Sequence, residues 1–224
     1  MLRKVTKKVL ELVYKPWVVR YLKSDRPYNY KKLRLVITKG VFHPAFFNSS
    51  PILAKFTENL NIQNKKVLEI GSGSGLISLV AASKGAIVTA IDLNPDAVTC
   101  TQQNAVRNNL SINCIKSDLF QSLPPTIFDV ILINPPYFPQ NPETKEQLAW
   151  YCGLNHGYFH RFFEQLPNYQ KDTSEVFMIL SEDVALREIE QIALEFNFSL
   201  QQTSAHFKGL EWNYIYKIER STNS

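Results

Sequence analysis

The chain is predicted to be an α/β domain, a doubly wound and mostly parallel seven-stranded sheet carrying a C-terminal antiparallel hairpin. Three observations predict it. Short apolar runs (Val67–Ile70, Ile87–Ile91, Ile112–Ile115, Val130–Ile133 and Val176–Leu180) alternate with helical patterns, the rhythm of a parallel sheet covered on both faces. A glycine-rich turn, Gly71-Ser72-Gly73-Ser74-Gly75, follows the first of these runs. Phe198–Phe207 and Trp212–Ile218, split by Lys208-Gly209-Leu210-Glu211, form two long strand patterns around a turn.

The elements follow in order. Val5, Val9, Leu12 and Val13 recur at helical spacing, with Lys4, Lys7, Lys8 and Lys15 on the other face. Asp25–Lys32 is polar and aromatic and is expected to be a linker, and Leu33–Ile37 a short strand. A helix is expected from about Ser50 to Leu60, capped by Ser49 or Ser50. Helices then cover about 76–84, about 95–108 with Asn94 as cap, about 156–166 and about 184–195. Residues 1–40 are thus expected as a basic helical extension and residues 41–220 as the main domain.

Charge divides the chain the same way. Residues 1–40 hold twelve Lys/Arg against Glu11 and Asp25, while the remainder holds thirteen Lys/Arg and eighteen Asp/Glu, for a formal net charge of +5. Such a basic block suits contact with nucleic acid or another anionic surface, or a solvated helix face. No apolar run reaches the roughly 18 residues of a spanning helix, so no membrane span is expected. The three cysteines, Cys100, Cys114 and Cys152, lack metal-ligand spacing and read as reduced thiols of a cytoplasmic protein.

The chemistry gathers behind the strands. Glycines at 71, 73 and 75 let the backbone turn tightly and approach a ligand. Leu76 stands where a dinucleotide fingerprint needs glycine, which disfavours a nicotinamide site. Asp92, at the tip of the second run, is placed to accept from ribose hydroxyls, with Leu93 beside it. Asp118, past the third, is placed to accept from an adenine amine, with Leu119 and Phe120 packing the ring. Glu69 sits between apolar neighbours and needs a partner, an ammonium or the loop N–H groups. Together these positions suit adenosine carrying an amino acid, as in S-adenosyl-L-methionine.

Asn134-Pro135-Pro136-Tyr137 follows Val130–Ile133 directly. Two prolines make the segment stiff, so the Asn134 side-chain oxygen and the Pro135 carbonyl can hold both hydrogens of a planar –NH2 group while Tyr137 stacks on it. Fixing those hydrogens aims the nitrogen lone pair at an electrophile. No metal is needed; His156 and His160 share a helical face but show no third ligand. His43 is read as a turn or packing residue, Cys152 as a packed thiol, and Trp150-Tyr151 as either acceptor mouth or aromatic core.

Leu68–Gly75, Asp92-Leu93-Asn94-Pro95, Ser117-Asp118-Leu119-Phe120 and Asn134–Tyr137 together resemble class I S-adenosylmethionine-dependent methyltransferases of the HemK type, the release-factor glutamine methyltransferases. The resemblance covers about residues 41–180 and is closest to the short form, which starts with an aromatic-x-Pro-Ala segment, matched by Phe42-His43-Pro44-Ala45. Ala149–Gly153 and Gly157 match a later family stretch loosely. Phe46, Phe47 and Asn48 replace acidic residues of the short form, and His156 stands where it has Asp. The resemblance implies a protein glutamine amide in a translation factor as methyl acceptor. The same N-P-P-Y also serves adenine-N6 and, in variant form, guanine-N2 methyltransferases, where residues 1–40 would grip phosphates.

Overall fold

The computed structural model describes residues 24–144, 146–209 and 211–221. The expected basic helix around Val5–Val13 lies outside them. The strands are β1 (Arg26–Tyr30), β2 (Leu33–Ile37), β3 (Lys66–Ile70), β4 (Ile87–Asp92), β5 (Ile112–Lys116), β6 (Val130–Ile133), β7 (Glu175–Ser181), β8 (Phe198–Lys208) and β9 (Glu211–Arg220). The helices are α1 (Ser49–Asn59), α2 (Leu76–Ser83), α3 (Pro95–Arg107), α4 (Gly157–Gln165) and α5 (Leu186–Glu195).

Seven strands form one sheet in the order β5-β4-β3-β6-β7-β9-β8. The five from β5 to β7 run parallel, and β9 and β8 pair antiparallel, as expected. The central strands β3, β6 and β7 are buried on both faces, so successive residues feed two cores. Val67, Val130 and Leu132 pack with Leu53, Leu76 and Ala97 of α1–α3. Leu68, Ile131 and Ile133 pack with Phe159, Phe162 and Ile189 of α4 and α5.

The chain walks outward from β3 to β4 and β5, then returns to lay β6 on the other side of β3. This reversal opens a crevice beyond the carboxyl ends of β3 and β6, where open α/β sheets bind ligands. The glycine turn leaves β3 there, and Asn134 leaves β6.

The expected linker is instead strand β1, paired antiparallel with β2 from Arg26↔Ile37 to Tyr30↔Leu33. Alternation explains it: Arg26, Tyr28 and Tyr30 are half-buried while Pro27 and Asn29 face out, and proline is tolerated on an edge strand. Asn104 of α3 ties the hairpin down. Its Oδ1 accepts from Val36 N at 2.8 Å, and its Nδ2 donates to Val36 O at 3.1 Å and to Ser74 O at 3.0 Å. One side chain therefore ties together the hairpin, the helix and the glycine turn.

Candidate active site

A cavity of about 450 Å³ occupies the crevice, within the usual range of small-molecule sites. Its walls come from the glycine turn, Asp92–Asn94, Ser117–Leu119, Asn134–Tyr137 and the first turn of α1.

The glycine turn is held against β4, where Gly71 N and Ser72 N both donate to Ile91 O at 2.9 Å. The three glycines do different work. Gly71 and Gly73 line the cavity, and both take left-handed φ, +75° and +51°, where any side chain would be strained. Gly75 does not line it. With φ of +79°, Gly75 starts α2, and a Cβ there would meet the Thr101 side chain of α3 at 2.8 Å.

Asp92 organises the turn through both oxygens, Oδ2 accepting from Gly73 N at 2.9 Å and Oδ1 from Asn94 N at 2.8 Å. Burial raises its pKa, against the pull of these N–H groups. Asn94 in turn caps α3, accepting from Asp96 N at 3.0 Å.

Glu69 is only 2% exposed. Its partner among the described residues is Ser78, not the glycine-turn amides. Glu69 Oε2 accepts from Ser78 N at 2.8 Å and from the Ser78 hydroxyl, at the third residue of α2, where helix N–H groups lack partners. Burial pushes its carboxyl up to about 8 despite these bonds. Glu69 lines the cavity, and its Oε1 makes no hydrogen bond among the described residues.

Asp118 lines the cavity but is not free to turn toward a ligand alone, because Arg161 of α4 pairs with its Oδ2. Tyr158, one turn earlier on α4, also lines the wall. Burial and the neighbouring Asp92 and Asp118 carboxylates drive its phenol far above the ordinary range, so it is a neutral hydroxyl. Leu119, in the left-handed region at φ of +50°, and Leu93 complete this apolar end. Phe120 does not: it is buried in the core and stacks on Tyr169 at 4.5 Å.

The other end is assembled from distant segments. Asn134 Nδ2 donates to Ser49 Oγ and Ser50 Oγ, both at 3.1 Å. Both of its amide hydrogens are thereby spent, and Oδ1 accepts nothing among the described residues. The expected caps of α1 are thus anchors of Asn134. The actual N-cap, Asn48, instead donates from Nδ2 to Lys208 O at 3.0 Å, binding α1 to the tip of the β8–β9 hairpin. Tyr137 is held by its main chain to Trp150 O (3.1 Å) and by its hydroxyl to Ser181. Phe47 meets Trp150 at 4.4 Å and Phe42 at 4.3 Å, and all three line the cavity.

These residues match the methyltransferase small domain family model over residues 32–203. The chain belongs to this family of methyltransferases. A Methanocaldococcus jannaschii protein provisionally named protein N5-glutamine methyltransferase is 39% identical over 136 residues, covering 58% of this chain and 68% of its own length. The tRNA1(Val) (adenine(37)-N6)-methyltransferase of Shewanella loihica is 40% identical over 92 residues, 37% of this chain and 38% of that protein. The Thermus thermophilus 16S rRNA N2 G1207 methyltransferase, solved with AdoMet and guanosine, shares the fold, with TM-score 0.64, 19% identity, and 88% and 50% coverage. The class I methyltransferase fold and the HemK-like kinship expected from the motifs are both found.

The residues present fit S-adenosyl-L-methionine, the cofactor expected from the sequence motifs. Gly71 and Gly73 bring main chain without side chains to the cavity wall, the Asp92 carboxylate lines it, Glu69 keeps one oxygen unused, and Leu93 and Leu119 supply apolar walls. Of the sites expected from sequence, Glu69, Gly71, Gly73, Asp92, Leu93, Asp118, Leu119, Asn134, Pro135 and Tyr137 meet in one cavity, and Gly75 stands behind it. Ser49, Ser50, Tyr158 and Arg161 were not legible as site residues, because nothing local marks them. His43 is buried against Tyr28 and Phe46, away from the cavity. Cys152 is a buried thiol donating to Phe138 O at 3.2 Å. His160 faces Glu195 at 3.6 Å, and among the described residues no group of three candidate metal ligands occurs. Nor is any helix among them long and apolar enough to cross a membrane.

Proposed function

We propose that this methyltransferase acts on a planar amino nitrogen, the side-chain amide of a glutamine in a translation termination factor. The observation that carries the proposal is the anchoring of Asn134: two serines hold its Nδ2, so its Oδ1 is turned out as a fixed acceptor in the same cavity as the cofactor residues. The archaeal relative's name and the short-form release-factor motifs support glutamine as the acceptor.

In this mechanism Gly71, Gly73, Asp92, Leu93, Asp118 and Leu119 would hold S-adenosyl-L-methionine, with Glu69 Oε1 left to accept from its amino group. When bound, S-adenosyl-L-methionine supplies a methyl group made electrophilic by a sulfonium, itself a good leaving group. Asn134 Oδ1 and the Pro135 carbonyl accept the two hydrogens of the acceptor amide. This holds the nitrogen with its lone pair directed and lowers its delocalisation into the carbonyl. Tyr137, fixed by Ser181, covers one face of the amide plane, and Phe47 and Trp150 keep water from the mouth.

The test is transfer of labelled methyl into lysate of a strain lacking this gene, divided between protease and nuclease. Loss of label to protease alone supports a protein acceptor, and mass spectrometry of the labelled band should name a glutamine. Asn134→Ala should cut transfer by about 10²–10³-fold while cofactor affinity, read by calorimetry, is kept. Full transfer by Asn134→Ala would sink the clamp.

A second reading is RNA adenine-N6 methylation. The adenine-N6 methyltransferase relative and the basic residues 1–40 favour it. Loss of label to nuclease, and a rate falling steeply with salt, would select it.

A further inference from the structure

Asn213 has no place in the machinery described so far. It lies on β9, between Trp212 and Tyr214, where strand propensity and packing favour an apolar or aromatic residue. It is 1% exposed, lines the cavity, and shares a sheet face with Ile215, two residues on. Its Nδ2 is buried and makes no hydrogen bond among the described residues. Ser181, its register partner on β7, does not satisfy it: that hydroxyl accepts from Asp183 N at 3.2 Å and meets the Tyr137 hydroxyl.

A buried amide donor without a partner weakens a fold. Such a group on a residue of the cavity wall is explained when its amide turns toward a ligand that supplies the missing acceptor. We infer that Asn213 recognises the methyl acceptor, its Nδ2 donating a hydrogen bond to the carbonyl oxygen of the carboxamide whose nitrogen Asn134 holds. This rests on the amide-acceptor function proposed above. A primary carboxamide needs two acceptors for its –NH2 and one donor for its C=O. Asn134 Oδ1 and the Pro135 carbonyl meet the first need, and Asn213 the second.

The bond has a kinetic signature. As the nitrogen lone pair is freed from amide resonance, the carbonyl oxygen loses negative charge rather than gaining it. A donor on that oxygen therefore binds the ground state at least as well as the transition state, so its removal raises KM and spares kcat.

The experiment measures initial rates of labelled methyl transfer into a dilution series of lysate from the strain lacking this gene. It compares the unmodified protein, Asn213→Leu, Asn213→Ala and Asn134→Ala, with calorimetric cofactor affinity and Tm for each. Asn213→Leu keeps the branched heavy-atom shape and removes the unpartnered donor. It should raise the half-saturating lysate concentration about tenfold, hold the maximal rate and cofactor affinity within twofold, and leave Tm unchanged or higher. An unchanged half-saturating concentration overturns the inference, and so does a fall in Tm shared by Asn213→Leu and Asn213→Ala, which marks a structural residue. If Asn134→Ala is inactive while Asn213→Leu behaves as unmodified protein, the inference fails and the amide clamp stands. Full transfer by Asn134→Ala, or none by the unmodified protein, removes both.

Discussion

The two ends of the cavity are built on different principles. The cofactor end takes Glu69, Gly71, Gly73, Asp92 and Asp118 from the tips of β3, β4 and β5, each within a few residues of its own strand. The acceptor end takes Asn134 from β6 but fixes it through Ser49 and Ser50, 85 and 84 residues away. Asn48 and Lys208, 160 residues apart, then close the side of it. The first end is a property of strand-to-helix turns, and the second a property of the assembled domain.

Perturbing each end in turn should separate them. Gly75→Ala combines a left-handed φ with a Cβ 2.8 Å from Thr101, and should cost about 3 kcal/mol of stability. Urea unfolding measures it, and Thr101→Ser in the same chain, which removes the nearest methyl, should recover part of the loss. Asp92→Ala removes the partner of the Gly73 and Asn94 amides. Calorimetry should show cofactor affinity down about 10- to 100-fold, with the residual transfer at saturating cofactor least affected.

A smaller effect falls on the acceptor end. Ser49→Ala with Ser50→Ala should lower kcat about tenfold by freeing the Asn134 amide, with cofactor affinity unchanged, at roughly 1 kcal/mol per bond. A double variant as active as the parent would show that the clamp needs no anchor.

The smallest effect is a pH dependence. Glu69 is held up to about 8 against 4.5 for the ordinary carboxyl. The folded protein thus binds its proton more tightly than the unfolded chain, so its contribution is full below about 4.5 and is lost as pH rises to about 8. Without cofactor, Tm should fall faster between pH 5 and 8 in the parent than in Glu69→Gln, a difference of a few degrees. Parallel Tm curves would refute this origin.

The same division describes what could be read in advance. The alternation of apolar runs with helical patterns determined the doubly wound sheet, and the residues behind each run determined the cofactor end, because both depend on neighbours in the chain. Asn94 as the cap of α3 was legible for that reason. Asp25–Lys32 misled, since Tyr28 and Tyr30 gain a strand's burial only once β2 and α3 lie beside them. Phe120 was misassigned to the adenine, since only the packing of α4 and Tyr169 turns it into the core. Gly75 resembles Gly71 and Gly73 in sequence, and only the approach of α3 gives it a different task. By itself the sequence determined the fold class, the family and most of the residues that gather at the cavity. The tertiary structure alone decided that serines of α1 aim Asn134, that Arg161 holds Asp118, and that Asn213 enters the cavity. These contacts join segments far apart in the chain, and no local pattern encodes a partner that only folding brings within hydrogen-bond range.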